Sequence, residues 1–458
     1  GWYAYSPETL DLTLSDAPAE IFERAVLPGD EVTILFCQAE DDLKNHRSGG
    51  YVYQTAKQMA EKFSFLHVEY KNIVIDPDAV EPYKKDMKGN DTALNATSVV
   101  FIHNEQYRVL TDTTSGVGYV DFYTLNDKGT VVAYNGEEVL TAMILWVLRE
   151  EHPTAYFTTG HTETSTAAFS SALACAGYYV DTVDLRQNEV PSDAGLLVIS
   201  HPVKDFEKSA EGSGVRSEYD RLVSYTDRGG RVLLVTDPYL KENQPVLRGF
   251  MDTFGISLSE RDTDGGRVAD IVKDTENGIS VDGFTFVCDF GTGSFASSVA
   301  AVVDAQAAGK VITSSSGVLL TDAARGAEPL LVSSSAAETE AAGAVTDRDG
   351  RYTVAAYSRQ THNGNTAELV VFPSIYLSDS DAMVTNGYAN RTFFYAVFSA
   401  LGTGGGECPY GCRLVLMSND YLENLTMGTA RRLTVLFMAV PAALAVAGAV
   451  VVIRRKNR

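Results

Sequence analysis

The sequence predicts an α/β protein of two successive α/β units, with a β-rich second half and one apolar helix near the C-terminus. Three observations predict it. Runs of Val, Leu and Ile alternate with helical patterns between residues 31 and 236, and shorter β-like segments follow from Arg267 to Ala400. Leu433 to Ile453 is then a 21-residue run without a charge.

The N-terminal lead-in, residues 1–30, has no initiator Met and no signal peptide. Gly1-Trp2-Tyr3 reads as the aromatic interfacial edge of an upstream span that precedes this chain. In residues 31–135 a strand is expected at 31–37, a helix at 51–63, strands at 65–73 and 98–103, and a hairpin return at 107–110 after a turn at Asn104-Glu105. This β-α-β-hairpin order is that of a thioredoxin-like unit. Redox chemistry needs a second thiol beside Cys37, but Gln38, Ala39 and Glu40 follow it, so no redox motif is present.

The second unit, residues 136–402, opens with a helix carrying Val139, Met143, Trp146 and Val147 on one apolar face. A strand at 155–158, a helix at 164–176, strands at 178–185 and 195–200, and a helix at 218–227 follow. Gly229-Gly230 stops that helix before a strand at 231–236. Continuous Val and Leu strands alternating with helices imply a doubly wound parallel sheet covered on both faces, of flavodoxin- or amidotransferase-like type. Further β segments are expected at 268–272, 284–288, 310–313, 330–333, 352–357 and 368–372, with 334–350 a polar loop and 389–401 a closing helix. Residues 403–430 form a stalk. In its GGGECPYGC stretch, Cys408 and Cys412 could close a small disulfide, and no neighbouring ligands support a metal site.

Residues 431–458 combine the uncharged run with a basic end. As a helix the run would be about 31 Å long, enough to cross the hydrocarbon core. Four basic residues follow it and two precede it, which places the tail in the cytoplasm and the body outside. The composition, 45% hydrophobic and 21% charged, is that of a globular protein. A net charge of −23 that includes those six C-terminal basic residues leaves a strongly acidic body, which argues against nucleic-acid binding.

Three strand ends carry polar groups: Gly160-His161, Ser200-His201-Pro202 and Thr236-Asp237-Pro238. In TAYFTTGHTETS, Gly160 permits a sharp turn, and Thr162, Thr164 or Ser165 can cap the helix that follows. His161 and Glu163 either cap and solvate this turn or present a polar surface, together with Gly160, His201 and Asp237. Ser200 and His201 are adjacent, so their side chains diverge, and no GxSxG elbow follows any of these strands. Catalysis is therefore not expected, and no cofactor is implied.

The order GEEVLTAMILWVL, YFTTGHTE, EVPSDAGLLVISHPVKDF, GGRVLLVTDP, AEPLLVSSS and ANRTFFYAVFSAL before a terminal span and RRKNR resembles the GldG-like family of auxiliary subunits of bacterial ABC transporters. LDLTLSD at 10–16 and the DPD turn after KNIVI add to the likeness, which covers nearly the whole chain. The resemblance implies a non-enzymatic subunit of the bacterial cell membrane whose bulk is extracytoplasmic, with the lipid bilayer and separate permease and ATPase polypeptides as partners. The chain lacks a phosphate loop of its own, in keeping with a separate ATPase. Where the family commonly has Gly-His-Gly-Glu, this chain has Thr162 in the third place. The alternative is a surface hydrolase or a glycan- or ligand-binding protein using the sheet rim near His161.

Overall fold

The computed structural model describes residues 10–417, apart from 113–117, 127, 211, 213, 241–242, 264–265, 307–308, 385–386 and 403–406. It is a mixed α/β structure with parallel and antiparallel sheets. The expected span, Leu433 to Ile453, lies outside the described residues. Among those described, no helix is long and apolar enough to cross a membrane.

The first sheet has four strands in the order Leu66–Tyr70, Val32–Phe36, Val99–His103, Gln106–Leu110. The first two are parallel, joined through helix Gly49–Lys62, and the others return antiparallel. Asn104 turns the hairpin with a φ of 51°, a conformation Asn tolerates better than most residues. Cys37 is buried at the end of its strand, and burial pushes its thiol up to about 12, so it stays protonated.

The larger sheet has ten strands. Five are parallel, in the spatial order Tyr179–Val183, Thr154–Thr158, Ala194–Ser200, Arg231–Val235, Asn365–Phe372. In chain order that is second, first, third, fourth, fifth. Alternate side chains of each strand enter two different apolar clusters. Ala155, Val198, Leu233 and Val235 pack with Phe169, Phe393 and Phe394, while Tyr156, Leu197, Ile199 and Leu234 pack with Leu222, Phe250 and Met251. Burial on both faces is what a continuous apolar strand requires. Beyond Asn365–Phe372 the sheet turns antiparallel through Thr353–His362.

Several bounds differ from those the sequence suggests. The helix expected at 164–176 spans Ala167–Cys175, and its N-cap is Thr166, whose hydroxyl accepts the Phe169 N–H at 3.1 Å, rather than Thr162, Thr164 or Ser165. The loop expected at 334–350 is a hairpin, Ala337–Ala341 with Ala344–Gly350, beside Ile271–Lys273. Ala342 and Gly343 both have positive φ, as a tight two-residue hairpin turn demands. The segment expected at 268–272 is divided between Gly266–Ala269 and Ile271–Lys273 at Asp270, whose carboxylate accepts from Ser259, Arg261 and Thr346.

Helix Gly136–Val147 is buried along its whole length rather than on one face. It packs against strands Val99–His103 and Gln106–Leu110 and against helix Ala167–Cys175, so one apolar core runs through both units. Its first turn carries two buried carboxylates. Glu138 accepts from Arg391 Nε at 2.5 Å and from the Tyr395 hydroxyl at 2.7 Å, and the Arg391 guanidinium also reaches Ser171 and the Ala168 carbonyl. Glu137 accepts from Ser15 and from the Arg413 N–H at 2.8 Å.

The region read as a stalk is described as far as Met417, and residues 407–417 lie against the body. Val415–Leu416 pairs with Val131–Tyr134, Arg413 bonds Asp11 at 2.7 Å, and Glu407 bonds Arg24 at 2.9 Å. The disulfide considered for Cys408 and Cys412 is not formed. Both thiols are free, Cys408 meeting the Ser399 hydroxyl at 3.7 Å, while burial and the charge of Glu137 hold the Cys412 thiol well above its usual range.

Replacing Arg391 by Met leaves the Glu138 carboxylate buried and unpaired, so a loss of about 3–5 kcal/mol is expected in urea unfolding. The double variant Glu138→Gln/Arg391→Met should recover most of it. A single variant as stable as the parent would show that the pair does not hold the helices together.

Candidate functional site

The carboxyl ends of Thr154–Thr158, Ala194–Ser200 and Arg231–Val235 lie side by side, because these strands are neighbours in the sheet. The chain leaves the first of them in the opposite direction from the third, and such a switch point is where open α/β sheets leave a crevice. Gly160, His161 and Glu163 follow the first strand, His201 the second and Asp237 the third. The structure brings them together as two pairs that serve opposite faces of the sheet.

His161 sits on the face of Phe206, its ring 4.4 Å from that phenyl and only 4% of the residue exposed. Its Nδ1 meets Glu163 Oε1 and its Nε2 meets Glu218 Oε2, both at 3.1 Å. Glu163 also accepts the His161 N–H at 2.7 Å, Glu218 accepts the Glu207 N–H, and the His161 carbonyl accepts from Val203 and Lys204. His161 thus joins the turn and the start of helix Glu218–Asp227 through its ring and the loop after Ser200 through its carbonyl. Burial opposes its protonation, but the hydrogen bonds and charges of Glu163 and Glu218 outweigh that and raise it to about 9. A cation enclosed between two carboxylates has no free valence for a ligand. Gly160, with a φ of 114°, lies beneath the Arg186 guanidinium, which Asp184 holds at 2.9 and 2.7 Å.

The other pair is more open. His201 Nε2 lies 3.2 Å from Asp237 Oδ2, and its Nδ1 lies 2.7 Å from the Thr164 hydroxyl. Burial favours a protonated Asp237, yet hydrogen bonds from His201 and the Tyr239 N–H prevail and lower it. Ser200 turns away from His201 as expected, donating to the Thr164 carbonyl at 2.6 Å. His201 has a φ of 50° and Thr162 a φ of 60°, both in the left-handed region. For the β-branched Thr162 this conformation costs about 1–3 kcal/mol.

Beside Thr164 lies a cleft of about 300 Å³, lined by Thr164, Thr166, Ser200, Tyr376, Ser378 and Asp379 among others. The turn carrying Tyr376 is fixed at its far end, where Thr166 donates to the Ser378 carbonyl at 2.6 Å and the buried Asn390 amide donates to the Leu377 carbonyl at 2.8 Å. The sequence offered no sign of this loop, because it follows a strand more than a hundred residues downstream and becomes part of the rim only through the pairing of Asn365–Phe372 with Arg231–Val235. Among the described residues no group of three or more His, Cys, Asp or Glu side chains is placed to hold a metal ion.

No protein-family model matches the chain, and no curated protein matches it. Among solved structures it is similar to one described as the mmIFT52 N-terminal domain, at 16% identity over 56% of this chain and 99% of that one, with a TM-score of 0.39. A likeness at that level carries no argument about what this chain does.

Two measurements follow from the turn. Because the folded value of His161 near 9 lies above its unfolded 6.5, its contribution is complete below pH 6.5 and is lost as pH rises through 9. Unfolding free energy should fall across that window by on the order of 3 kcal/mol more in the parent than in His161→Gln; parallel pH profiles would refute the charged triad. Thr162→Gly should raise the melting temperature, with a net gain of about 1 kcal/mol after the entropic cost of glycine. An unchanged or lower melting temperature would mean that the turn stores no strain.

Proposed function

We propose that this chain is a membrane-anchored, extracytoplasmic and non-catalytic auxiliary subunit of a bacterial ABC transporter. The observation that carries the reading is the ordered set of motifs, from GEEVLTAMILWVL to the terminal apolar run and RRKNR, that resembles the GldG-like family. In this reading the four-stranded unit is thioredoxin-like without a redox pair. The five parallel strands, ordered second, first, third, fourth, fifth, form a flavodoxin- or amidotransferase-like sheet. Leu433 to Ile453 is the anchor, and the permease and the ATPase are separate polypeptides.

The packing of the chain ends agrees with such a body. Arg413 bonds Asp11 and Thr13, and Glu407 bonds Arg24, so the described ends of the chain lie together. With Leu433 to Ile453 as the anchor, the chain leaves for it from the side on which these described segments meet.

One observation favours a second reading, a surface hydrolase. The Thr164 hydroxyl, the His201 imidazole and the Asp237 carboxylate stand in the order that acyl transfer uses to activate a nucleophile.

Affinity purification of the full-length protein from its native membrane in mild detergent separates the two. Co-elution of an ABC permease and ATPase is expected, and recovery without either would overturn the subunit reading. Turnover of p-nitrophenyl acetate that disappears in both Thr164→Val and His201→Gln would instead establish the hydrolase.

A further inference from the structure

The seam between the two α/β units holds a group of polar atoms that the fold leaves unserved. Trp146, on helix Gly136–Val147, is fully buried, and its ring is stacked on His152 with centroids 3.4 Å apart. Tyr179, at the start of its strand, stands edge-on to both, 5.3 Å from Trp146 and 6.0 Å from His152. From the other unit, Arg108 of strand Gln106–Leu110 brings its guanidinium to 5.1 Å from the Trp146 ring and 4.9 Å from that of Tyr179. The Lys88 ammonium is 4.8 Å from the Tyr179 ring as well. Among the described residues no hydrogen-bond partner meets Arg108 Nε, Trp146 Nε1, the Tyr179 phenol oxygen or either nitrogen of His152, and all five atoms are buried.

Five such atoms at one place call for an occupant, and their chemistry gives its sign. Trp146 Nε1–H and Arg108 Nε–H only donate, the Tyr179 phenol donates, and a neutral imidazole offers one N–H. His152 stays neutral, since burial and the charges of Arg149 and Arg108 hold it down to about 4. Arg108 also lacks a close counter-charge. Burial makes its guanidinium less basic than usual, and the Tyr179 phenol with the charges of Asp121 and Asp86 offsets only part of that cost. No carboxylate of the described residues forms an ion pair with it, whereas the buried Arg391 rests on Glu138. A water molecule would serve the neutral donors but leave the guanidinium without the counter-charge that an anion supplies. Asp121 and Asp86 favour one negative charge over two, and rings packed at 3.4 to 6.0 Å favour a small ion over a bulky one.

Its position makes such an ion both reachable and consequential. Arg108, His152 and Tyr179 are only part-buried as residues, so the group lies near the surface. Lys88 already ties the same two units together, bonding the Thr154 hydroxyl at 2.5 Å and Asp193 at 2.7 Å. An anion held by Arg108 on one side and by Trp146, His152 and Tyr179 on the other adds a second cross-link.

We propose that the seam between Arg108 and the group Trp146, His152 and Tyr179 binds one small monovalent anion, a halide or a carboxylate. The inference goes beyond the transporter reading and does not rest on it. The test titrates sodium chloride and sodium acetate into the full-length protein in detergent, at constant ionic strength balanced with the bulky 2-(N-morpholino)ethanesulfonate. Melting temperature is followed together with the emission of Trp146 in a Trp2→Phe background, where it is the sole tryptophan. At least one ion should give a saturable change in both, because a ligand of the folded state alone stabilises it. Arg108→Met should abolish saturation, and Tyr179→Phe should weaken binding by about tenfold, the worth of one hydrogen bond to a charge. The Tyr179 phenol oxygen has no hydrogen-bond partner, so Tyr179→Phe should fold as the parent does and keeps the test decisive if Arg108→Met does not fold. Arg348→Ala, which removes the same charge from the hairpin at 337–350, should titrate as the parent does. No saturable response to either ion, a response unaltered by both Arg108→Met and Tyr179→Phe, or an equal loss in Arg348→Ala would overturn the proposal.

Discussion

Two adjacent carboxylates in one helical turn, Glu137 and Glu138, decide how the rest of the chain can pack. They open a helix, Gly136–Val147, that is otherwise apolar and buried all round. Carboxylates suit the N-terminal end of a helix dipole, but buried ones are tolerated only with partners. Neighbours in a helix point about 100° apart, so the two must find partners in different directions. Glu138 takes Arg391 and Tyr395 from helix Asn390–Ala400, and Glu137 takes Ser15 from the start of the chain and Arg413 from near its described end. The desolvation of these charges is repaid only when all of these segments are in place. The two α/β units therefore share a single core.

At the sheet rim the same physics has two outcomes. On the Phe206 face, burial and paired charge turn His161 into an internal strut, with both ring nitrogens engaged by carboxylates. On the other face, His201 keeps one nitrogen on Asp237 and uses the second to orient a hydroxyl that lines an open cleft. The difference lies in what covers each imidazole. Helix Glu218–Asp227 contributes Glu218 at its first position and seals one, whereas the other meets Asp237 and the hydroxyl of the Thr164 turn.

Much of the fold is legible in local pattern. The strands at 32–36, 99–103, 194–200 and 231–235 are rich in Val, Leu and Ile, and helix Glu218–Asp227 carries its capping box in its own sequence, Ser217 with Asp220. Elements whose defining contacts come from afar were not. Helix Pro245–Thr253 has its first N–H groups on Asp205, and helix Ser294–Gln306 has them on Glu328, so neither shows a local carboxylate cap. The hairpin at 337–350 reads as a loop because its inward positions are Ala337, Thr339 and Ala341, too small to register as an apolar stripe, while Glu338 and Glu340 are neutralised by Lys273 on another strand. At the site, the polar strand ends were legible, but their sorting between two faces depends on Phe206, Glu218 and Tyr376, which no spacing near His161 announces.

The described chain ends and the cleft are joined through two packed helices, Gly136–Val147 and Asn390–Ala400. Glu137 holds the ends, and the next residue holds Arg391. Arg391 is adjacent to Asn390, whose side chain accepts the Ile312 N–H and donates to the carbonyls of Ile312 and Leu377. Leu377 belongs to the loop that presents Tyr376 to the cleft. Every step is a buried or part-buried hydrogen bond or a neighbouring peptide, and a close-packed interior transmits displacement because it has little room to absorb it. A shift of the ends that carried helix Gly136–Val147 with it would move helix Asn390–Ala400 and the cleft's aromatic wall together.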